Sequence, residues 1–279
     1  ATGLLKPWCE DPQVTAELIE RAGDTNALVR AFAIRALEPL AAQPDTNIQA
    51  VFSRRLEDPI RWVRIEAAWA LRTRLDTNSV AGRDLLYYLN HNLDMPSAML
   101  QRGVFELDRG GTEAALALFR RAVSWDAGSA PLRHALAIAL NLQGKTEEAV
   151  RELETACRLA PQDAEMRFKL ALALNEAARP REALSALEAA VKLEPNYGSA
   201  WYNLGLAYSA QEQPERAVEA LVRAESLNPL SARIPYARAT ILVRLGRIED
   251  ARTAAQRALE LQPDMTEAMV LVQSLSQKP

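Results

Sequence analysis

Few residues in this chain have the chemistry of a catalyst. It holds two histidines, His91 and His134, and two cysteines, Cys9 and Cys157, all far apart in sequence. No Cys-x-x-Cys, His-Glu-x-x-His, Gly-x-Gly-x-x-Gly, Gly-x-Ser-x-Gly or phosphate-loop pattern occurs, so the spacings that hold a metal, a nucleotide or a nucleophile are missing. Nor does Cys-x-x-Cys-His, the attachment site of a c-type haem, appear in these 279 residues. Carboxylates are plentiful, but Glu147-Glu148 and Glu152-Glu154 stand among Arg and Lys at helical spacing, as on a solvated helix face. No catalytic residue, metal site or cofactor is expected. A disulfide between Cys9 and Cys157 is not expected either, because stacked repeats would set them layers apart.

What remains is a surface, and periodicity describes the elements that would carry it. Pro161, Pro195, Pro229 and Pro263 recur at intervals of 34 residues. Between Pro195 and Pro229 the large residues Trp201, Leu204, Tyr208 and Leu221 follow helical three- and four-residue steps. Gly205, Ala217 and Ala224 are small where two helices must touch. The run Gln211-Glu212-Gln213-Pro214 breaks the pattern, and Pro214 can open a second helix without losing a needed N–H. One such helix pair cannot bury its own apolar faces, so several must stack. The expected class is all-α, a right-handed α-solenoid of antiparallel helix pairs. With 11 glycines, 6% aromatics and 49% hydrophobic residues, the composition agrees with helix throughout. A formal charge of −3 and a pI near 5.7 argue against a nucleic-acid surface, and no apolar run is long enough to span a membrane.

The order and spacing of Trp201, Leu204, Gly205, Tyr208, Ala217, Leu221, Ala224 and Pro229 resemble the tetratricopeptide repeat. On that frame five units run over 94–263, followed by a capping helix over 264–279 whose outer face should be polar (Gln273, Ser274, Gln277, Lys278). Arg102, Glu106 and Arg238 stand where the family has apolar residues. A second pattern precedes these units, also with period 34: Asp11 matches Asp45, Asp24 matches Asp58, and Val29-Arg30 matches Val63-Arg64. Asp followed by Val-Arg and then by small and large apolar residues resembles a HEAT repeat over 1–76. That resemblance implies a ladder of Asp24, Arg30, Asp58 and Arg64 between neighbouring repeats. Asp76-Thr77-Asn78-Ser79 supplies N-cap residues for a bridging helix over 77–93, with Leu85, Leu86, Tyr88 and Leu89 on its apolar side and His91 at its C-terminal end. Leu4, Leu5 and Trp8 are expected to cover the exposed end of the first repeat.

In tetratricopeptide arrays the first helices of successive units line a concave groove that holds a partner peptide or domain. Carried onto this chain, the groove residues are Gln101, His134, Asn141, Phe168, Lys169, Asn175, Tyr202, Asn203, Arg233 and Tyr236. Asn203 is the sharpest of them, since an Asn there can bond the backbone of an extended peptide. Of the residues that would clamp a chaperone-tail carboxylate, only Asn203 and Arg233 are compatible. The expected function is a non-catalytic adaptor with a protein or peptide partner.

A HEAT-like pair leading into tetratricopeptide units resembles the C-terminal half of bacterial multihaem cytochrome c proteins. The stretches DPIRWVRIEAAWAL, LDMPSAMLQRG and YARATILVRLGRIEDA carry that likeness. It implies, as the alternative, a repeat half that docks an electron-transfer partner in the periplasm; a cytoplasmic adaptor is the other setting. A third reading is the substrate-gripping arm of a glycosyltransferase, weakened because the equivalents of Asn203 are Gln101, Ala135, Lys169 and Ala237. The start at Ala1 fits a processed or excised chain. Sequence leaves the oligomeric state open.

Overall fold

The computed structural model describes residues 8–276, which form sixteen α-helices and no strand. The expectations for Leu4, Leu5, Gln277 and Lys278 fall outside them. The chain divides into two compact units, 1–127 and 128–279.

The first unit holds α1 (Pro12–Arg21), α2 (Ala27–Leu37), α3 (Thr46–Arg55), α4 (Arg61–Ala70), α5 (Val80–His91), α6 (Pro96–Asp108) and α7 (Thr112–Trp125). Asp11 and Asp45 cap α1 and α3 identically, each accepting from the backbone N–H groups two and three residues on. Ser79 caps α5 by accepting from Gly82 N–H, as its position in the turn predicts. Leu18, Ile34, Leu37, Ile48 and Phe52 form one core between α1 and α4. Leu85, Leu89 and Phe105 form a second with Ala68 and Leu75. Trp8 is 61% exposed, and Cys9 beside it is buried in the first core.

An arginine ladder ties the helix pairs of this unit together. The Arg30 guanidinium donates to both Asp58 carboxylate oxygens at 2.8 Å and to the Asp24 and Thr25 carbonyls. Arg64, one period later, donates to the Asp58 and Pro59 carbonyls and to the Asp84 carboxylate on α5. The rung after Asp58 is thus Asp84, which the 34-residue frame does not reach. Asp24 contributes its carbonyl to Arg30, while its carboxylate accepts from Asn26 N–H.

The second unit holds α8 (Ala130–Leu142), α9 (Thr146–Leu159), α10 (Ala164–Glu176), α11 (Pro180–Leu193), α12 (Gly198–Ala210), α13 (Pro214–Leu227), α14 (Arg233–Arg244), α15 (Ile248–Leu261) and α16 (Thr266–Ser276). Each helix packs on the next, and α12 also touches α14 directly. Small residues set the approach. Ala149, Ala183, Ala217 and Ala251, one per second helix, are wholly buried, as are Ala156, Ala190, Ala224 and Ala258. At Gly205 an added Cβ would meet Leu221 Cγ at 2.7 Å and the Ala217 carbonyl at 3.2 Å, so only glycine fits that crossing. The pair α6–α7 of the first unit repeats the device: Gly103 lies under the Phe119 ring, and Ala115 and Ala122 are fully buried.

First helices end alike. The N–H of Lys145, Arg179, Gln213 and Arg247 donates back to the carbonyl five residues earlier at 2.8–3.0 Å, through a left-handed residue one position before. That residue is Gly144 or Gly246 in two repeats, but Ala178 (φ 55°) and Glu212 (φ 58°) in the others.

The arginines standing in apolar positions have partners. Arg102 bonds Glu106 at 2.5 Å and lies over the Phe105 ring, and Arg238 bonds Glu225 at 3.0 Å. On α16 Met269 and Val270 are exposed as well as Gln273 and Ser274.

Candidate functional site

The 34-residue period places His134, Phe168, Tyr202 and Tyr236 at one equivalent position on α8, α10, α12 and α14. Lys169 and Asn203 follow at the next position, and Asn141 and Asn175 at another one turn or more further on. Contacts between residues about one period apart show that these first helices stand side by side. Asn141 donates to Glu176, and the Arg244 guanidinium donates to Ser209 Oγ at 3.0 Å. Lys169 lies close enough to His134 to disfavour its charged form.

The predicted residues differ in what they can offer a ligand. Phe168 is buried, its ring 5.1 Å from that of Tyr197 on the next repeat, so it serves as packing between repeats as well as wall. Tyr202, Asn203, Lys169, Asn141 and Tyr236 are half-buried, while Asn175 and Arg233 are exposed. One N–H of the Asn203 carboxamide donates to the Ser199 carbonyl at 2.9 Å, which leaves its oxygen and second N–H for an outside partner. The Lys169 ammonium lies 5.9 Å from the Phe168 ring centre and 3.9 Å from Glu165. His134 has its Nε2 buried with no hydrogen-bond partner, and burial first, then Lys169, lowers its pKa. It is therefore a neutral imidazole at neutral pH, placed beside the Lys169, Glu165 and Asp163 charges.

Gln101, the predicted groove residue on α6, belongs to the first unit. It lies on the rim of a cleft of about 360 Å³ walled by Trp62, Trp69 and Tyr88. Sequence reading did not single out that cleft. Tyr88 had been expected on the apolar side of α5, and the structure instead leaves it 38% exposed at the cleft while Leu85 and Leu89 fill the core. His91 is exposed in the last turn of α5 with its ring stacked on Tyr87 at 5.2 Å. Cys9 and Cys157 are both buried, and no disulfide joins them. Among the described residues no three His, Cys, Asp or Glu side chains gather as a metal-binding set, and no helix is long and apolar enough to cross a membrane.

Tetratricopeptide-repeat family models match residues 106–173, 169–232 and 204–266, together more than half of the chain. Solved structures of that architecture are similar to it. MamA from Desulfovibrio magneticus RS-1 (residues 41 to the end) is 26% identical with a TM-score of 0.54, covering 61% of this chain and 97% of its own. YrrB, described as a tetratricopeptide protein with an unusual peptide-binding site, is 19% identical with a TM-score of 0.57, covering 66% and 95%. A further MamA structure is 21% identical with a TM-score of 0.56, covering 60% and 92%. No curated protein matches the chain.

Proposed function

The chain belongs to the tetratricopeptide-repeat family, and on that premise we propose that it is a non-catalytic scaffold holding an extended segment of a partner protein on the first-helix face of its second unit. The observation that carries this reading is the column His134–Phe168–Tyr202–Tyr236, flanked by Lys169 and by Asn203 with its unspent amide groups. An extended peptide exposes backbone N–H and C=O groups at regular spacing, and a carboxamide that can donate and accept at once matches them. Aromatic rings alongside contribute apolar area at small entropic cost. YrrB, similar in fold, is itself described as peptide-binding.

An array of unstructured peptides tests this. The parent chain should retain a subset of peptides. Asn203→Ala with Lys169→Ala should weaken those spots at least tenfold while changing stability by less than about 1 kcal/mol, as for surface substitutions. Equal retention by mutant and parent would remove this face from the binding site.

For residues 11–75 the HEAT-like reading is supported by the Arg30–Asp58 and Arg64–Asp84 rungs, which repeat one set of bonds with a 34-residue period. The likeness to the repeat half of multihaem cytochromes stands as the alternative. It assigns the molecule to docking an electron-transfer partner, and a c-type Soret band in the native gene product would select it.

A further inference from the structure

The cleft between α2, α4, α5 and α6 is built differently from the first-helix face of the second unit. Trp62 is 47% exposed and Tyr88 38%, which is unusual for side chains that could have been buried. Trp69 forms the floor, its indole N–H donating to Glu38 Oε1 at 3.0 Å. The Arg35 guanidinium lies 5.8 Å from both the Phe32 and the Trp62 ring centres and grips both oxygens of Glu66 through Nε and Nη2. Glu38 also accepts from Arg72 at 2.9 Å. The cavity of about 360 Å³ lies within the roughly 300–1,000 Å³ typical of ligand sites.

The hydrogen-bonding inventory of this cleft is lopsided. Its carboxylates are committed: Glu66 to Arg35, and Glu38 to Trp69 and Arg72. Its donors are not. Arg35 Nη1, the Trp62 indole N–H, the Tyr88 hydroxyl and the Gln101 carboxamide hydrogen-bond to none of the described residues. A sugar brings many hydroxyl donors, for which the cleft keeps only the Tyr88 hydroxyl and the Gln101 carbonyl as uncommitted acceptors. A quaternary ammonium, which aromatic faces can hold, would meet the Arg35 guanidinium already lying against the Trp62 ring. The ligand that fits best brings more acceptors than donors, with flat apolar faces to lie against the aromatic rings. A polyproline II segment has that composition: proline contributes a carbonyl but no N–H, and the helix exposes its carbonyls without internal hydrogen bonds.

We propose that the Trp62–Trp69–Tyr88 cleft is a second binding site, one that takes a proline-rich segment of a partner protein in the polyproline II conformation. Proline rings lie between Trp62 and Tyr88, and the segment's carbonyls accept from the Trp62 indole, the Tyr88 hydroxyl and Arg35 Nη1. The preformed extended helix loses little entropy on docking, which suits a shallow aromatic site. This site is separate from the first-helix face, so either reading can fail alone.

The test titrates the full chain into fluorescein-labelled decaproline and follows anisotropy, with cellohexaose and a trimethyl-lysine peptide as competitors. Decaproline should bind and neither competitor should displace it. Trp62→Ala should weaken binding at least tenfold, and Tyr88→Phe, which removes only a donor, several-fold. Both substitutions are at exposed positions and should leave the melting temperature within a few degrees of the parent. Asn203→Ala should leave decaproline binding unchanged. Failure of decaproline to bind at millimolar concentration, equal binding by a folded Trp62→Ala variant, or displacement by either competitor would overturn the assignment.

Discussion

The N-terminal helix pairs and the C-terminal repeats share a period of 34 residues, yet register is held by opposite means. In α2, α4 and α5 it is directional. Arg30 and Arg64 reach across to Asp58 and Asp84, and Asp58 is fully shielded from solvent with its carboxylate also held by Arg55 and Ile60 N–H. In α8 to α15 register is steric. Columns of buried Ala and the Gly205 crossing let helices approach only where the side chain is small, and no charged residue there is buried as Asp58 is. The comparison teaches that a repeat length is a geometric constraint that different chemistries can meet. A bonded stack should fail by losing a partner or a charge, and a steric stack by gaining volume.

The largest effect should come from Asp58→Ala, which strands the buried Arg30 guanidinium. Loss of one partner of such a pair costs about 3–5 kcal/mol, read as a lower midpoint in chemical denaturation. In the other stack, Ala217→Leu forces branched carbons against the α12 backbone and should cost about 1–3 kcal/mol by overpacking. The same substitution at an exposed position should cost almost nothing.

Acid should distinguish the two stacks next. Burial alone would raise the Asp58 pKa, but hydrogen bonds from Arg30, Ile60 N–H and Arg55 outweigh it and hold the carboxyl at about 2, against 3.8 when free. A depressed carboxyl stabilises the fold above its unfolded value and loses that contribution as pH falls through its folded value. About 2 kcal/mol should therefore be present above pH ~4 and vanish on titration toward pH ~2. Four of the five tryptophans (Trp8, Trp62, Trp69 and Trp125) lie in the first unit, so indole fluorescence reports this loss selectively.

The smallest effect has the opposite sign. Ala178 and Glu212 hold left-handed conformations where Gly144 and Gly246 stand in sister repeats. Either changed to Gly should raise stability by about 1 kcal/mol, since the steric cost of a Cβ at positive φ exceeds the added chain entropy. A thermal melt that moves down would contradict this.

The steric stack was the more legible of the two. Gly205, Ala217 and Ala224 announce themselves by size and spacing, and Pro214 marks the start of α13. The left-handed turns were visible only where glycine fills them; Ala178 and Glu212 carry no such mark. The ladder was half legible: Arg30 and Asp58 recur with the period, but Asp84 lies off it on α5 and is found only once that helix is placed. The Arg102 and Arg238 positions read as mismatches until Glu106 and Glu225 appear beside them. The aromatic cleft was not legible, because Trp62 and Tyr88 satisfy the same helical spacing whether they face a core or water. In the second unit the column His134–Phe168–Tyr202–Tyr236 recurs with the 34-residue period, but the packing of Phe168 onto Tyr197 is a contact that no single-helix pattern contains.

The comparison is tested most directly by native-state hydrogen exchange on the full chain, with Asp58→Ala and Ala217→Leu measured side by side. The account predicts that Asp58→Ala lowers protection most in α2, α4 and α5 and leaves α10 to α13 exchanging as in the parent, with Ala217→Leu giving the reverse pattern. Equal loss across all helices in both variants, or a loss centred on the wrong stack, would contradict it.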